Sequence, residues 1–271
     1  MLSLTRDMSR LRPTAVAGTF YPVQPAELRR TVEELIEAGP AVANARRPKA
    51  LIVPHAGYVY SGPVAGRGYR LLRGTGAGIR HVVLLGPSHR VPLRGLALSS
   101  LDGFETPLGT VPIDGAGRQR LRELGLAGIA DAPHAAEHSL EVQLPFLQCV
   151  LGDFDLLPIA VGHAPPGLVA RLLESVWNGA DTLVVVSSDL SHYHTSDEAR
   201  RLDDTTTRAI LERRSDVSDE QACGAGCING LMQVAQRRGL DVELIDLRNS
   251  GDTAGDRSRV VGYGSYAVFE P

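Results

Sequence analysis

Ala50-Leu51-Ile52-Val53-Pro54-His55-Ala56-Gly57-Tyr58 is a short run of branched apolar residues that stops at a proline and delivers a histidine into a tight turn. The pattern recurs at Val82-Val83-Leu84-Leu85, followed by Gly86-Pro87-Ser88-His89. It recurs again at Leu183-Val184-Val185-Val186, followed by Ser187-Ser188-Asp189-Leu190-Ser191-His192. Runs of this length, rich in β-branched residues and bounded by turn residues, read as strands buried on both faces, as in a parallel sheet. In an open α/β sheet the turns beyond the carboxyl ends of the strands line the ligand crevice. Three histidines and an aspartate brought to one rim therefore point to a metal or acid–base site.

The stretches between these runs carry helical signals. Pro25 to Glu37 places Leu28, Val32, Leu35 and Ile36 on one stripe, with a proline suited to a first turn. Ser61-Gly62-Pro63 offers a cap and first turn for a helix reaching Leu72. Gly115 to Leu124 and Pro165 to Trp177 read as helices, and Ser139 to Leu151 keeps a stripe despite Pro145. Ser218 to Arg238 reads as a long helix opened by a capping box at Ser218 and Gln221. Gly95 to Ser100, Leu156 to Val161, Val242 to Leu247 and Val260 to Phe269 read as strands, and Phe104 to Asp114 as a hairpin. Residues 1–25 are irregular, Ala41 to Pro48 is a polar connection, and Asn249 to Asp256 is a loop rich in glycine and aspartate. The alternation predicts one α/β domain over residues 1–271, with a mostly parallel or mixed central sheet and helices on both faces.

Composition removes several function classes. The 271 residues hold 28 basic and 31 acidic side chains, a net charge of −3, so no global field favours nucleic acid or an anionic membrane. No apolar stretch approaches the roughly 20 residues needed to span a bilayer. The opening Met1 to Met8 lacks the continuous apolar core of a signal peptide, so a cytoplasmic location is expected. Cys149, Cys223 and Cys227 imply no disulfide framework. Lys49 is the sole lysine, which argues against a P-loop and leaves a Schiff-base mechanism one candidate.

A single histidine such as His55 or His89 reads as a turn cap, but two at equivalent strand ends read as metal ligands. Asp189 and His192 are spaced to share one side of a turn, where the carboxylate orients the imidazole or ligates a metal; Asp189 reads equally as an N-cap. Glu137-His138-Ser139-Leu140-Glu141 opens a predicted helix, where nearby amide donors favour a neutral His138 as proton acceptor. Equally, Glu137 and Glu141 there complement the helix dipole. Cys223 at a helix start has a lowered thiol pKa on this reading, whereas Cys227 reads as a small buried side chain. His81, His134, His163 and His194 read as structural or solvent-facing.

At these residues the sequence resembles the Memo family, also described as AmmeMemoRadiSam system protein B. The likeness runs through Arg12-Pro13 to Tyr21-Pro22, Pro54 to Tyr58 with Tyr60-Ser61-Gly62, Gly86 to His89 and Glu137 to Glu141. It continues through Ser188 to His192, Cys223-Gly224, Asn249 to Asp252 and Val260 to Tyr263. The resemblance implies a fold like that of class III extradiol dioxygenases. It also implies metal ligands at His55, His89 and Cys223, with His138, His192 and Asp189 lining the pocket. The family's usual proline after Cys-Gly-x-x is Cys227 here, a second thiol close to the first.

The resemblance and the residues together imply a metal-dependent, dioxygenase-like oxidoreductase with iron, copper or zinc as cofactor, in that order. His138 and His192 would serve as acid and base, oriented by Asp189. The alternative is a non-catalytic module binding a small molecule or peptide, with Arg12, Tyr21, Tyr58, Tyr60 and Glu137 around the pocket. A zinc hydrolase would have Glu137 as its only evident base. The resemblance further implies functional association with radical-SAM and AMMECR-type proteins.

Overall fold

The computed structural model describes residues 10–38, 46–177 and 179–271. The expected leader-free start and most of the Ala41 to Pro48 connection lie outside the described residues. In chain order the elements begin β1 (Leu11–Arg12), α1 (Pro25–Glu37), β2 (Ala50–Val53), α2 (Tyr58–Arg70), β3 (His81–Pro87) and β4 (Leu96–Leu98). Then come β5 (Gly103–Thr106), β6 (Gly109–Pro112), α3 (Gly115–Glu123), β7 (Gly128–Ile129) and α4 (Ala132–Ala135). A 3-10 turn (Glu141–Gln143) leads into α5 (Leu144–Val150), followed by β8 (Asp155–Val161), α6 (Pro166–Val176), β9 (Thr182–Ser187) and β10 (His192–His194). The chain closes with α7 (Ser196–Leu211), α8 (Ala225–Arg238), β11 (Asp241–Asn249), α9 (Ser250–Thr253) and β12 (Val260–Phe269).

The main sheet runs β10-β12-β2-β9-β3-β8-β4-β7, with β11 also paired to β12, and β1-β5-β6 form a small second sheet. At the centre β2, β9, β3 and β8 are all parallel. Antiparallel pairing enters where β12 joins β2 and where β4 joins β8, so the sheet is mixed. The three histidine-bearing runs are β2, β3 and β9, and β9 lies between the other two. Their carboxyl ends therefore open side by side on one rim, as the sequence predicts.

Strand alternation feeds two cores, one per face. Leu51, Val53, Val82, Leu84 and Val185 face a layer built by α1, α2 and α5. Ala50, Ile52, Val83, Leu85 and Val186 face α6, α7 and α8. A fully buried side chain of this size is worth about 1.5–3 kcal/mol, so both layers hold the sheet firmly. Two glycines allow the close approaches. A Cβ on Gly66 would press on the Leu35 carbonyl of α1, and one on Gly230 of α8 would press on Val169 of α6.

Several boundaries differ from the sequence expectation. Helix α2 starts at Tyr58, capped by Gly57, three residues before the expected Ser61 and with Pro63 inside it. Pro63 removes the hydrogen bond to the carbonyl of Val59, a residue exposed at the first turn, where water can replace it. The expected helix from Ser139 is a turn, a 3-10 stretch and α5, because Pro145 cannot donate back and fits only in a first turn. His138 consequently precedes the helix instead of opening it. At Ser218 the amide does bond Gln221, at 2.9 Å, but that closes an isolated turn and α8 begins at Ala225. The segment after Asp189 becomes β10, not a helix, and α7 takes its cap from Thr195 with Glu198.

Candidate metal centre

His55 ends the turn beyond β2 and is buried, with 2 % of its surface exposed. Its amide donates to Asp189 Oδ1 at 2.8 Å, so the carboxylate beyond β9 holds the backbone of the neighbouring turn. Asp189 thus orients His55 and does not cap a helix. The ring meets Ser187 Oγ through Nδ1 at 2.9 Å and Cys223 Sγ through Nε2 at 3.3 Å. Burial lowers the His55 pKa to about 4; Asp189 opposes that shift, while His89 and His138 add to it. The imidazole is neutral at pH 7, the form that ligates metals.

His89, beyond β3, is tied to Glu137, whose surface is 1 % exposed. Glu137 Oε2 accepts the His89 amide at 2.6 Å, and Oε1 accepts from His89 Nδ1 at 3.0 Å. Oε1 also accepts the amides of His138 and Ser139, both at 2.9 Å. Burial alone would raise the carboxyl, but the bonds from His138, His89 and the Ser139 amide outweigh it and hold Glu137 well below the usual carboxylate range. Both oxygens are committed, so Glu137 is a fixed anion and not a free general base.

His138 completes the cluster. Its ring stacks on His89 with centroids 4.8 Å apart, stands edge-on to His55 at 5.4 Å, and touches Phe20 at 4.9 Å. Its Nδ1 stands 3.2 Å from Glu137 Oε1. His55, His89 and His138 each offer one nitrogen within 4.8 Å of the others, a spacing that suits one cation.

Cys223 adjoins this group through His55 and lies ahead of α8, not within it. Burial pushes its thiol well up, and the Asp189 charge adds to that. The lowering expected from a helix start is overridden, because the thiol sits in a desolvated site beside an anion. Cys227 is buried in α8 and likewise pushed up, to about 12. A cavity of about 350 Å³ opens beside Cys223, lined also by Pro87, Ser88, His163 and Gly224. A larger one, about 770 Å³, lies around Arg29, Arg80 and Asp153, with no imidazole in its lining.

Other expected pocket residues lie elsewhere. Arg12 is buried in an ion pair with Glu141, and donates to the His134 and Glu137 carbonyls at 2.8 and 2.6 Å. Glu141 also accepts the Ala15 and Val16 amides, at 2.7 and 3.0 Å, and the Tyr21 hydroxyl. Tyr58 is buried and donates to the Val142 carbonyl at 2.7 Å. Arg12, Tyr21 and Tyr58 are therefore fastened inside the fold, whereas Tyr60 is exposed. His192 sits on β10 against Tyr193, and the structure does not bring it into the imidazole group.

Sequence reasoning passed over Ser187, Gln143 and Ser139. Gln143 donates to Pro54 O at 2.9 Å and to Ser187 Oγ at 2.8 Å, which holds the His55 turn from beneath. The signal that could have found them is a polar residue closing a fully buried strand, since an unpaired hydroxyl there is costly.

A family model described as Memo-like protein matches residues 12–267 of the chain. A MEMO1 family protein of Aquifex aeolicus is 36 % identical over 266 residues, covering 94 % of this chain and 97 % of the relative. A MEMO1 family protein of Aeropyrum pernix is 36 % identical over 283 residues, covering 96 % of this chain and all of the relative (100 %). Among solved structures, an uncharacterized protein JW3007 of Escherichia coli K12 aligns with a TM-score of 0.50 at 12 % identity, covering 81 % of this chain and 99 % of that one. At that identity the likeness concerns the fold.

Proposed function

This chain belongs to the Memo-like protein family, and from that premise we propose that it is an oxidoreductase built around one metal ion held at the rim of β2, β9 and β3. The observation that carries the reading is the convergence of His55, His89 and His138, whose ligating atoms lie within 4.8 Å of one another. The donor set fits a transition metal: three imidazoles, with the Cys223 sulfur beside His55. His55 and His89 are the two anchors, and His138 and Cys223 are the candidates for the third position. Imidazole and thiol donors favour iron or copper over the hard cations, with zinc third. Such a metal, when bound, would supply open positions for O₂ or substrate.

The protein's own groups have definable parts. Glu137 and Asp189 fix the two anchoring turns and keep negative charge beside the cluster. His138, whose Nδ1 stands 3.2 Å from the Glu137 carboxylate, is the group placed to carry a proton between cluster and substrate. A small molecule would approach through the cavity beside Cys223. The test is anaerobic purification with metal quantification and O₂ uptake in the presence of reductant or catechols. Stoichiometric metal that is lost in His55→Ala and Cys223→Ala supports the reading. Full occupancy in both variants overturns it.

A further inference from the structure

Ser187 is the last residue of β9, fully buried, and its hydroxyl oxygen has three polar neighbours. They are the Ser139 carbonyl at 2.6 Å, Gln143 Nε2 at 2.8 Å and His55 Nδ1 at 2.9 Å. A hydroxyl has one proton to give. The Ser139 carbonyl can only accept, so that proton points to it. Gln143 Nε2 also faces the Pro54 carbonyl at 2.9 Å, while its Oε1 accepts from the Tyr69 hydroxyl at 3.0 Å. The amide is thereby oriented, and it donates to Ser187. Ser187 has no hydrogen left to offer His55, so the hydrogen in that contact must come from the ring.

We infer that Ser187 is a positioning residue that holds His55 in its Nδ1–H tautomer and leaves the Nε2 lone pair facing Cys223 and the imidazole cluster. Free histidine in water prefers the opposite tautomer, with the proton on Nε2, which would block the atom a metal needs. The inference rests on the metal-binding reading for its consequence, though its geometry stands without it. His89 reaches the same tautomer by another route, because its Nδ1 faces the acceptor-only Glu137 carboxylate at 3.0 Å. Ser139 joins the two arrangements. Its amide bonds Glu137 Oε1 at 2.9 Å and its carbonyl takes the Ser187 proton at 2.6 Å. An oxygen on the far ring nitrogen is the usual way a ligating histidine is oriented, and removing it typically costs 10–100-fold in metal affinity.

The test uses the whole protein, metal-free and labelled with ¹⁵N in its histidines, read by long-range ¹H–¹⁵N correlation of the rings. His55, assigned by its loss in His55→Gln, should show the Nδ1–H pattern. Ser187→Ala should shift it toward Nε2–H and leave His89 unchanged, and Ser187→Thr, which keeps the hydroxyl, should retain the original pattern. An Nε2–H pattern for His55 in the wild type overturns the inference, and so does an unchanged pattern in Ser187→Ala. The wild-type spectrum is decisive even where Ser187→Ala fails to fold. Zn²⁺ titration separates this from the functional reading: Ser187→Ala should bind about 10–100-fold more weakly. A wild-type protein that binds no Zn²⁺ overturns the metal reading while the tautomer result stands. Unchanged affinity in a variant with a shifted tautomer overturns the link between the two.

Discussion

Replacing Glu137 with glutamine tests whether the cluster is held from behind by a carboxylate. The two oxygens accept four hydrogen bonds, from the His89 amide and ring and from the amides of His138 and Ser139. An amide keeps one oxygen and turns the other into a donor, so at least one of the four donors faces an NH₂ group. The loss is one bond to a charged acceptor, about 1.5–3 kcal/mol, plus about 1–3 kcal/mol for the donor left unpaired. Partial rearrangement offsets some of this, and the expected destabilisation of the metal-free protein is about 3–4 kcal/mol. Urea denaturation at pH 7.5 measures it directly. Metal affinity should fall with it by about 10–100-fold, because the His89 ring loses the anion that fixes its tautomer. A Glu137→Gln protein within about 0.5 kcal/mol of wild type, the ordinary range for surface substitutions, would refute the argument that this carboxylate is a buried structural anion.

Glu141→Gln leaves the buried Arg12 guanidinium without its partner, and urea denaturation should show a loss of about 3–5 kcal/mol. Gly66→Ala drives a methyl group into the Leu35 carbonyl and should cost about 1–3 kcal/mol or more by the same measurement, with metal stoichiometry unchanged. Asp203 is the pH-dependent case. Burial, opposed by the hydrogen bonds at Ser191, raises its carboxyl from 3.8 to about 6. The unfolded chain therefore ionises first, and wild-type stability drains as pH rises from about 4 to about 6 and stays lower above that, by at most about 3 kcal/mol at roughly 1.4 kcal/mol per pH unit. Asp203→Asn should be more stable than wild type at pH 7.5, with the gain vanishing near pH 4; equal gains at both values would contradict the assignment.

The strands were legible because burial on both faces leaves no choice but continuous β-branched runs, and β2, β3, β9 and β12 begin and end close to where those runs do. Helix starts were less so. Gly57 caps α2 with no side chain to announce it, and the real capping contact at Ser218 closes only a turn. At the site, His55 and His89 were legible because each follows a strand end, and the strand order that makes β2 and β3 neighbours of β9 brings those two together, whereas His138 comes from the turn ahead of the 3-10 stretch. Arg12 and Tyr58 misled because their chemistry suits a pocket equally well, and only the fold shows both buried against residues more than 80 positions away. Ser187 and Gln143 were invisible for the same reason: their partners lie 132 and 89 residues off along the chain.

The position of β9 also sets an order of events in time. β2 and β3 are synthesised first, yet neither is the other's neighbour, since the strand that lies between them arrives about a hundred or more positions later. Until β9 enters, no strand lies between the turns bearing His55 and His89, and the His55 amide lacks Asp189. A nascent chain that ends before residue 182 therefore carries His55, His89 and His138 but lacks the strand that sets the first two side by side. On the proposed metal reading, capture of the ion would be a late event, and loading would report that the central strand is in place.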